Sequence, residues 1–215
     1  MLEEFKNAYK LVQYGLKIKT QLGLAALFAV IGIVIEVLGQ GEVPTGSFYI
    51  VLSGMFIYQL IISVDISTLV QSSPYKKKIQ CSYPLIATAP WVFLTLTILT
   101  VIHAIYVSQS PEKYLVMCRM TMLLGSLLFI LMVYFGLAYK YFIASTILMF
   151  ISVFFPIFIF QNETITGKYF TNFGVCVFLA YLLTTIGTFL CWLICRLTYR
   201  KELSKLAFKA ALRTK

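Results

Sequence analysis

The chain has 215 residues, 60% of them hydrophobic and 12% charged, with a formal charge of +10, one histidine and five cysteines. A soluble globular domain carries about a quarter of its residues charged, so this composition excludes one and specifies an integral membrane protein. The basic excess does not indicate a nucleic-acid partner, because it lies beside the ends of apolar runs, where anionic lipid headgroups attract each cation by ~1 kcal/mol.

Residues 1–20 read as an amphipathic interfacial helix: Phe5, Tyr9, Val12 and Leu16 recur at helical spacing, with Glu3, Glu4, Lys6, Lys10 and Lys17 elsewhere around it. The segment lacks the pattern of a cleaved signal peptide, so the first span is expected to be retained. Residues 21–195 form a transmembrane domain. Six apolar runs, 21–39, 47–70, 84–107, 115–138, 141–160 and 169–195, each approach the ~20 residues that a bilayer core requires. They are continuous rather than alternating, which excludes a transmembrane β-barrel. Residues 196–215 form a basic tail, with Tyr199, Leu203, Leu206 and Leu212 set among Lys and Arg. The fold class is therefore an all-α integral membrane protein of six transmembrane helices.

Six spans place both termini on one side. Lys6, Lys10, Lys17, Lys19, Lys76, Lys77, Lys78 and Lys140 share that side with Arg196, Arg200, Lys201, Lys205, Lys209, Arg213 and Lys215, while the opposite loops hold Lys113 and Lys168. By the positive-inside rule both ends are cytoplasmic, in a multi-pass protein of the cell membrane. The loop QSSPYKKKIQCSY, 71–83, is the longest polar stretch between spans. Pro74 can open a helical turn, and Tyr75, Lys76, Lys77, Lys78, Ile79 and Gln80 follow as a short basic helix suited to a groove on a soluble partner. The alternative is a topogenic charge cluster solvated by headgroups.

In the fifth run Pro156 removes a backbone donor, and it is expected to end the helix, so that 156–171 dips into the outer leaflet as a re-entrant segment. Gln161, Asn162, Glu163, Thr164 and Thr166 would stand near its tip, and Asn162-Glu163-Thr164 matches a glycosylation sequon. A tilted long helix with an exposed loop is the alternative.

The intramembrane polar residues singled out are Glu36, Asp65, His103 and Arg119. Glu36, His103 and Arg119 share the outer third of their spans. A buried charge costs ~2.5 to 3.5 kcal/mol at mid-membrane, so Glu36 is expected to pair with Arg119 or face a wet vestibule, and Asp65 with Lys140 at the inner face. The single histidine has no ligand partners at metal spacing, which argues against a zinc protease and any bound metal. Ser126 after Gly125 lies in a different span from His103, so no rhomboid-like dyad is expected, and no catalytic residue is assigned. Cys81, Cys118, Cys176, Cys191 and Cys195 read as packing residues, with Cys118 and Cys176 near enough to the outer face for a disulfide.

The entry helix, the basic loop after the second span, six spans, a broken region before the sixth and a basic tail together resemble the permeases of ABC exporters of the second class, by topology more than by motif. The resemblance implies that Phe5 to Leu16, with Phe5 and Tyr9, and Ser73 to Gln80 contact a separate cytoplasmic ATPase subunit. It also implies a homo- or heterodimer of permeases with a pathway between them, whose wall could include Phe150, Phe154 and Phe155. The chain has no GxxxxGK[ST], so no cofactor is expected on it, and ATP and Mg are expected on the partner. Small outer loops suit a small amphipathic or hydrophobic cargo, such as a peptide, lipid or drug. Two other readings stand beside this one. One resembles the substrate-binding membrane subunit of a vitamin importer, with Ala25 and Ala29 as a small-residue docking face; the other is a non-transporting scaffold or immunity protein. The Lys, Ile and Phe content suggests a bacterial source.

Overall fold

Inside a bilayer the backbone has no partner but itself, and long runs of Leu, Ile, Val and Phe meet that condition by forming helices. The structure, a computed structural model, describes residues 2–13, 18–65, 73–138, 140–162, 166, 169–202 and 204, apart from the side chains at 2, 11, 12 and 61–65. In chain order the helices are α1 (Leu2–Gln13), α2 (Ile18–Leu38), α3 (Thr45–Asp65), α4 (Lys76–Cys81), α5 (Tyr83–Gln109), α6 (Tyr114–Ala138), α7 (Phe142–Gln161) and α8 (Phe173–Thr198), with a 3-10 turn at Pro111–Lys113. No strand occurs among the described residues. Five helices, α2, α5, α6, α7 and α8, are long and apolar enough to cross a membrane, at mean hydropathies of 2.1 to 2.5. This is a multi-pass membrane architecture. Of the expected second run, 66–70 lies outside the described residues, as do Leu16 and Lys17 of the entry segment and 205–215 of the tail.

The core is α6. Within its apolar window 72% of residues are buried, against 22–33% in the other four membrane-length helices, so the others surround it and turn their remaining faces outward. Its packing against α8 depends on glycine. A Cβ added at Gly125 would lie 2.6 Å from Ala180 Cα, one at Gly187 would lie 3.0 Å from Phe129 Cα, and one at Gly136 would lie 3.3 Å from Cys191 Cα. Because contact positions rise together along both chains, α6 and α8 run parallel.

The α2–α3 pair is a hairpin. Ala25, Ala29, Gly32 and Glu36 form the buried stripe of α2 at spacings of four, three and four residues, which is one helical face. Gly32 abuts Ile50 and the Gly46 carbonyl, and the Phe28 ring stands 5.0 Å from Phe56 and 5.8 Å from Tyr49. The turn between them needs Gln40 at φ 51° and Gly41 at φ 73°, a left-handed region that glycine enters without a Cβ penalty. The small-residue face of Ala25 and Ala29 is thus occupied within the chain, by Ile57 and Ala87 at the level of Ala25.

Pro156 does not end its helix. α7 continues five residues beyond it to Gln161, with Pro156 buried, because the neighbouring helical hydrogen bonds persist where water cannot replace them. The expected break at Pro156 is therefore corrected. Beyond it, Thr166 is fully buried, and its hydroxyl and N–H both reach the Asn162 carbonyl, at 2.9 and 3.2 Å. Glu163 and Thr164 of the sequon lie outside the described residues. Asn172 starts α8 as an N-cap, its side-chain oxygen accepting from Val175 N–H at 3.2 Å.

Gly125→Ala is expected to destabilise the detergent-solubilised chain by ~1–3 kcal/mol through overpacking against backbone. Gly23→Ala, which meets no atom within 4 Å, is expected to leave it unchanged or slightly more stable. Thermal unfolding of the two variants side by side checks both.

Candidate functional site

Two polar assemblies stand at opposite ends of the bundle. At the end that carries α4, the turn before that helix is set by Ser73, whose Oγ accepts from Tyr75 N–H at 3.1 Å and whose carbonyl accepts from Lys76 N–H at 3.0 Å. The six-residue helix that follows turns Gln80 and Cys81 inward and leaves Lys77, Lys78 and Tyr75 outside, Tyr75 with 64% of its surface exposed. Pro74 is exposed, while Ser73, Lys76 and Ile79 are half-buried. This agrees with the short basic helix read from the loop. Neither the oxygen nor the nitrogen of the Gln80 amide has a hydrogen-bond partner among the described residues, although the side chain is 1% exposed.

Other elements gather there. Lys78 faces Glu4 of α1 at 3.5 Å; both are about half exposed, so the pair is screened and serves position more than stability. Among the described side chains of α1, Ala8 is the buried one, whereas Phe5 and Tyr9 are exposed. Lys77 lies 5.6 Å above the Tyr199 ring just after α8, and Arg200 lies 5.7 Å from the same ring and donates to its hydroxyl at 3.0 Å. That hydrogen bond, with the charges of Arg200 and Lys77 behind it, draws the Tyr199 phenol below its ordinary value. Lys140 is 7% exposed and reaches the carbonyls of Tyr199, at 3.5 Å, and Lys201. A cation at helix-end carbonyls is favourably placed, so Lys140 fastens the end of α8. The partner expected for Lys140 was Asp65. Asp65 ends α3, and its side chain lies outside the described residues.

At the opposite end a buried chain of three side chains crosses three helices. Glu36 Oε1 lies 2.8 Å from His103 Nε2, and His103 Nδ1 lies 2.9 Å from Thr121 Oγ1. Exposures are 1% for Glu36 and 0% for His103 and Thr121. Gly46 of α3 backs the carboxylate, and a Cβ there would collide with Glu36 Oε2. The turn above is stapled down: Tyr106 donates to the Val37 carbonyl at 3.1 Å, Gly41 sits against Met117, and Lys113 pairs with Glu42 at 2.9 Å.

Among the described residues Glu36 therefore pairs with His103 rather than with Arg119, and it is 1% exposed. Arg119 is buried on α6, two residues from Thr121 and about 200° around the helix from it. Thr121 was missed in the sequence, where a lone threonine in an apolar helix carries no signal. Ser126 donates to Met122 O at 2.9 Å within its own helix. Cys118 and Cys176 do come together, as fully buried free thiols in hydrogen-bond contact.

The order carboxylate, imidazole, hydroxyl is that of a hydrolytic triad. Here the hydroxyl is fully buried. Of the two described cavities, one of about 100 Å³ lies between α6 and α7 beside Tyr134 and Ser145, and one of about 10 Å³ lies beside Cys81, Cys191 and Cys195. Among the described residues no three His, Cys, Asp or Glu side chains are placed to hold a metal.

His103→Ala leaves Glu36 as an unpaired buried acid and is expected to cost ~3–5 kcal/mol. Replacing both partners, Glu36→Met with His103→Phe, is expected to recover most of that loss; chemical unfolding of the single and double variants in detergent checks it. No protein family, no curated protein and no solved structure matches this chain.

Proposed function

We propose that the chain is the membrane subunit of an ATP-driven exporter of the second ABC class. The observation that carries the reading is the seating of α4: it is held between α1, through Lys78 and Glu4, and the end of α8, through Lys77 and Tyr199. A six-residue helix is too short to keep its orientation alone. Fixed on both sides, it offers Tyr75, Lys77 and Lys78 outward beside Phe5 and Tyr9, a mixed aromatic and basic surface suited to a soluble ATPase. ATP and Mg belong to that partner.

In this reading α3, 21 residues long, is the second of six spans, and both termini are cytoplasmic. Two permease chains, alike or different, enclose the pathway. Phe150, Phe154 and Phe155 are 63%, 68% and 71% exposed on α7, as a surface that meets lipid or cargo must be. The outer turns 39–44 and 110–113 are short, which leaves small amphipathic or hydrophobic molecules as the fitting cargo.

A cysteine-reactive cross-linker placed at Tyr75→Cys is expected to capture a soluble ATPase from the native membrane in a fixed ratio. Gln at Lys76, Lys77 and Lys78 together is expected to abolish that capture and export, while insertion is unchanged. Export that survives the triple change, or labelling of Glu42→Cys and Lys77→Cys from the same side of the membrane, overturns the assignment.

A further inference from the structure

α6 ends at Ala138 and α7 begins at Phe142, and below that connection the two helices do not close on each other. The cleft of about 100 Å³ between them is walled by Phe129, Ile130, Val133 and Leu137 of α6 and by Leu148 and Met149 of α7. Leu148 on its rim is 52% exposed, so the cleft opens toward the surface that meets lipid. The hydroxyls nearest the connection are already occupied. Ser145 and Thr146 both donate to the Phe142 carbonyl, at 3.1 and 2.7 Å, and the buried Tyr134 hydroxyl is hydrogen-bonded with Thr146. Dry apolar cavities of this order take apolar guests.

Depth and position narrow the guest. The Leu137 carbonyl accepts from Lys140 N–H and Tyr141 N–H, and the Tyr141 carbonyl accepts from Ser145 N–H, so the cleft starts within one helical turn of the connection. From Leu137 to Phe129 it descends ~12 Å at the helical rise, less than half of a hydrocarbon core of ~30 Å. It is one leaflet deep and begins at the basic end of the bundle, the level at which a phospholipid of that leaflet carries its headgroup. A cation stands there. Lys201, just past α8, reaches the residue that precedes α7: its ammonium donates to the Tyr141 hydroxyl and lies 5.0 Å from the ring centroid. Both side chains are exposed, and Lys201 has no carboxylate partner among the described residues. The Lys201 backbone is fixed as well, because its carbonyl accepts from Lys140. The neighbouring charges, Arg200 and Glu202, are opposite in sign, which leaves Lys201 as the cation above the cleft.

We propose that the α6–α7 cleft is a binding site for an anionic phospholipid, with one acyl chain between the helices and the phosphate held by Lys201 beside Tyr141. The site does not depend on what the bundle exports. Other apolar surfaces, such as Phe154 and Phe155 on α7, are convex and are covered by any lipid. The cleft differs in being concave and in lying under a cation. Its unfilled walls forgo dispersion contacts, and α7 packs on α6 and on no other described helix to a comparable extent. An acyl chain in the cleft restores those contacts and gives α7 a second support.

The test uses the full chain in vesicles of phosphatidylcholine containing phosphatidylglycerol that bears a photoactivatable diazirine in its acyl chain. Label is expected to concentrate on Val133, Leu148 and Met149 over Phe154 and Phe155. Unlabelled phosphatidylglycerol is expected to compete about fivefold better than phosphatidylcholine, the weight of one cation at a headgroup. Lys201→Gln is expected to abolish that preference while the cleft is still labelled. Val133→Phe, which fills the cleft, is expected to remove the label from Leu148 and Met149; if that variant does not fold, the map of the parent chain and Lys201→Gln decide. Label spread evenly over the exposed face of α7, equal competition by the two lipids, or a preference that Lys201→Gln leaves intact would each overturn the proposal.

Discussion

Backbone-to-backbone approach between α6 and α8 is the constraint on which the bundle depends. Lipid tails are as apolar as leucine, so burying apolar side chains between helices gains little in a membrane, and association relies on close van der Waals packing at small residues. Gly125, Gly136 and Gly187 supply it along one parallel seam. With α8 drawn onto that seam, α6 is enclosed, and Leu123, Leu124, Leu127, Leu128 and Leu131 become nearly or fully inaccessible. The remaining helices pack around a centre already fixed.

Polar groups then set register. Most buried hydroxyls are spent on their own helix, as Thr88 is on Pro84 O, Thr184 on Ala180 O and Thr95 on Val92 O, and these carry no information about neighbours. A few reach across. Trp91 donates to Ser53 at 3.0 Å, joining α5 to α3; the Tyr58 hydroxyl donates to Phe135 O, joining α3 to α6 with their rings stacked at 4.0 Å; Thr97 meets Tyr181 at 2.8 Å, joining α5 to α8. The Glu36–His103–Thr121 chain is the longest of these links and the one that ties three helices at once. In a medium without water each such link is directional, so a small rotation of α5 breaks several together.

What could be read from the sequence follows the same division. Hydropathy located α5 and α6 to within two residues at either end, since the membrane requires a continuous apolar run, and Pro74 with three lysines sufficed for α4. Pro156 misled because a proline's lost hydrogen bond is judged by soluble-protein standards, where water can open the helix. The partner of Glu36 was illegible for a geometric reason. His103 and Arg119 lie at similar depth, and only the rotation of α5 and α6 about their axes decides which one meets the carboxylate. Lys140 was read as facing Asp65, whose side chain lies outside the described residues, and the carbonyls at the end of α8 that it also reaches carry no signal a charge-pairing argument counts.

The two polar assemblies lie on one continuous piece of chain. α4 and α5 are separated by Ser82 alone, and that junction is itself helically bonded, from Ser82 N–H to Lys78 O and from Ile86 N–H to Ser82 O. His103 stands twenty residues beyond Tyr83, roughly 30 Å at the helical rise. α4 and α5 therefore form a nearly continuous path toward the opposite end of the bundle, interrupted at Pro90, where the helix lacks one donor. Trp91, adjacent to that point, is held to Ser53 of the hairpin. Displacement below Pro90 can be absorbed there, whereas displacement that carries Trp91 with it must move α5 against α3 and strain the His103 contact with Glu36.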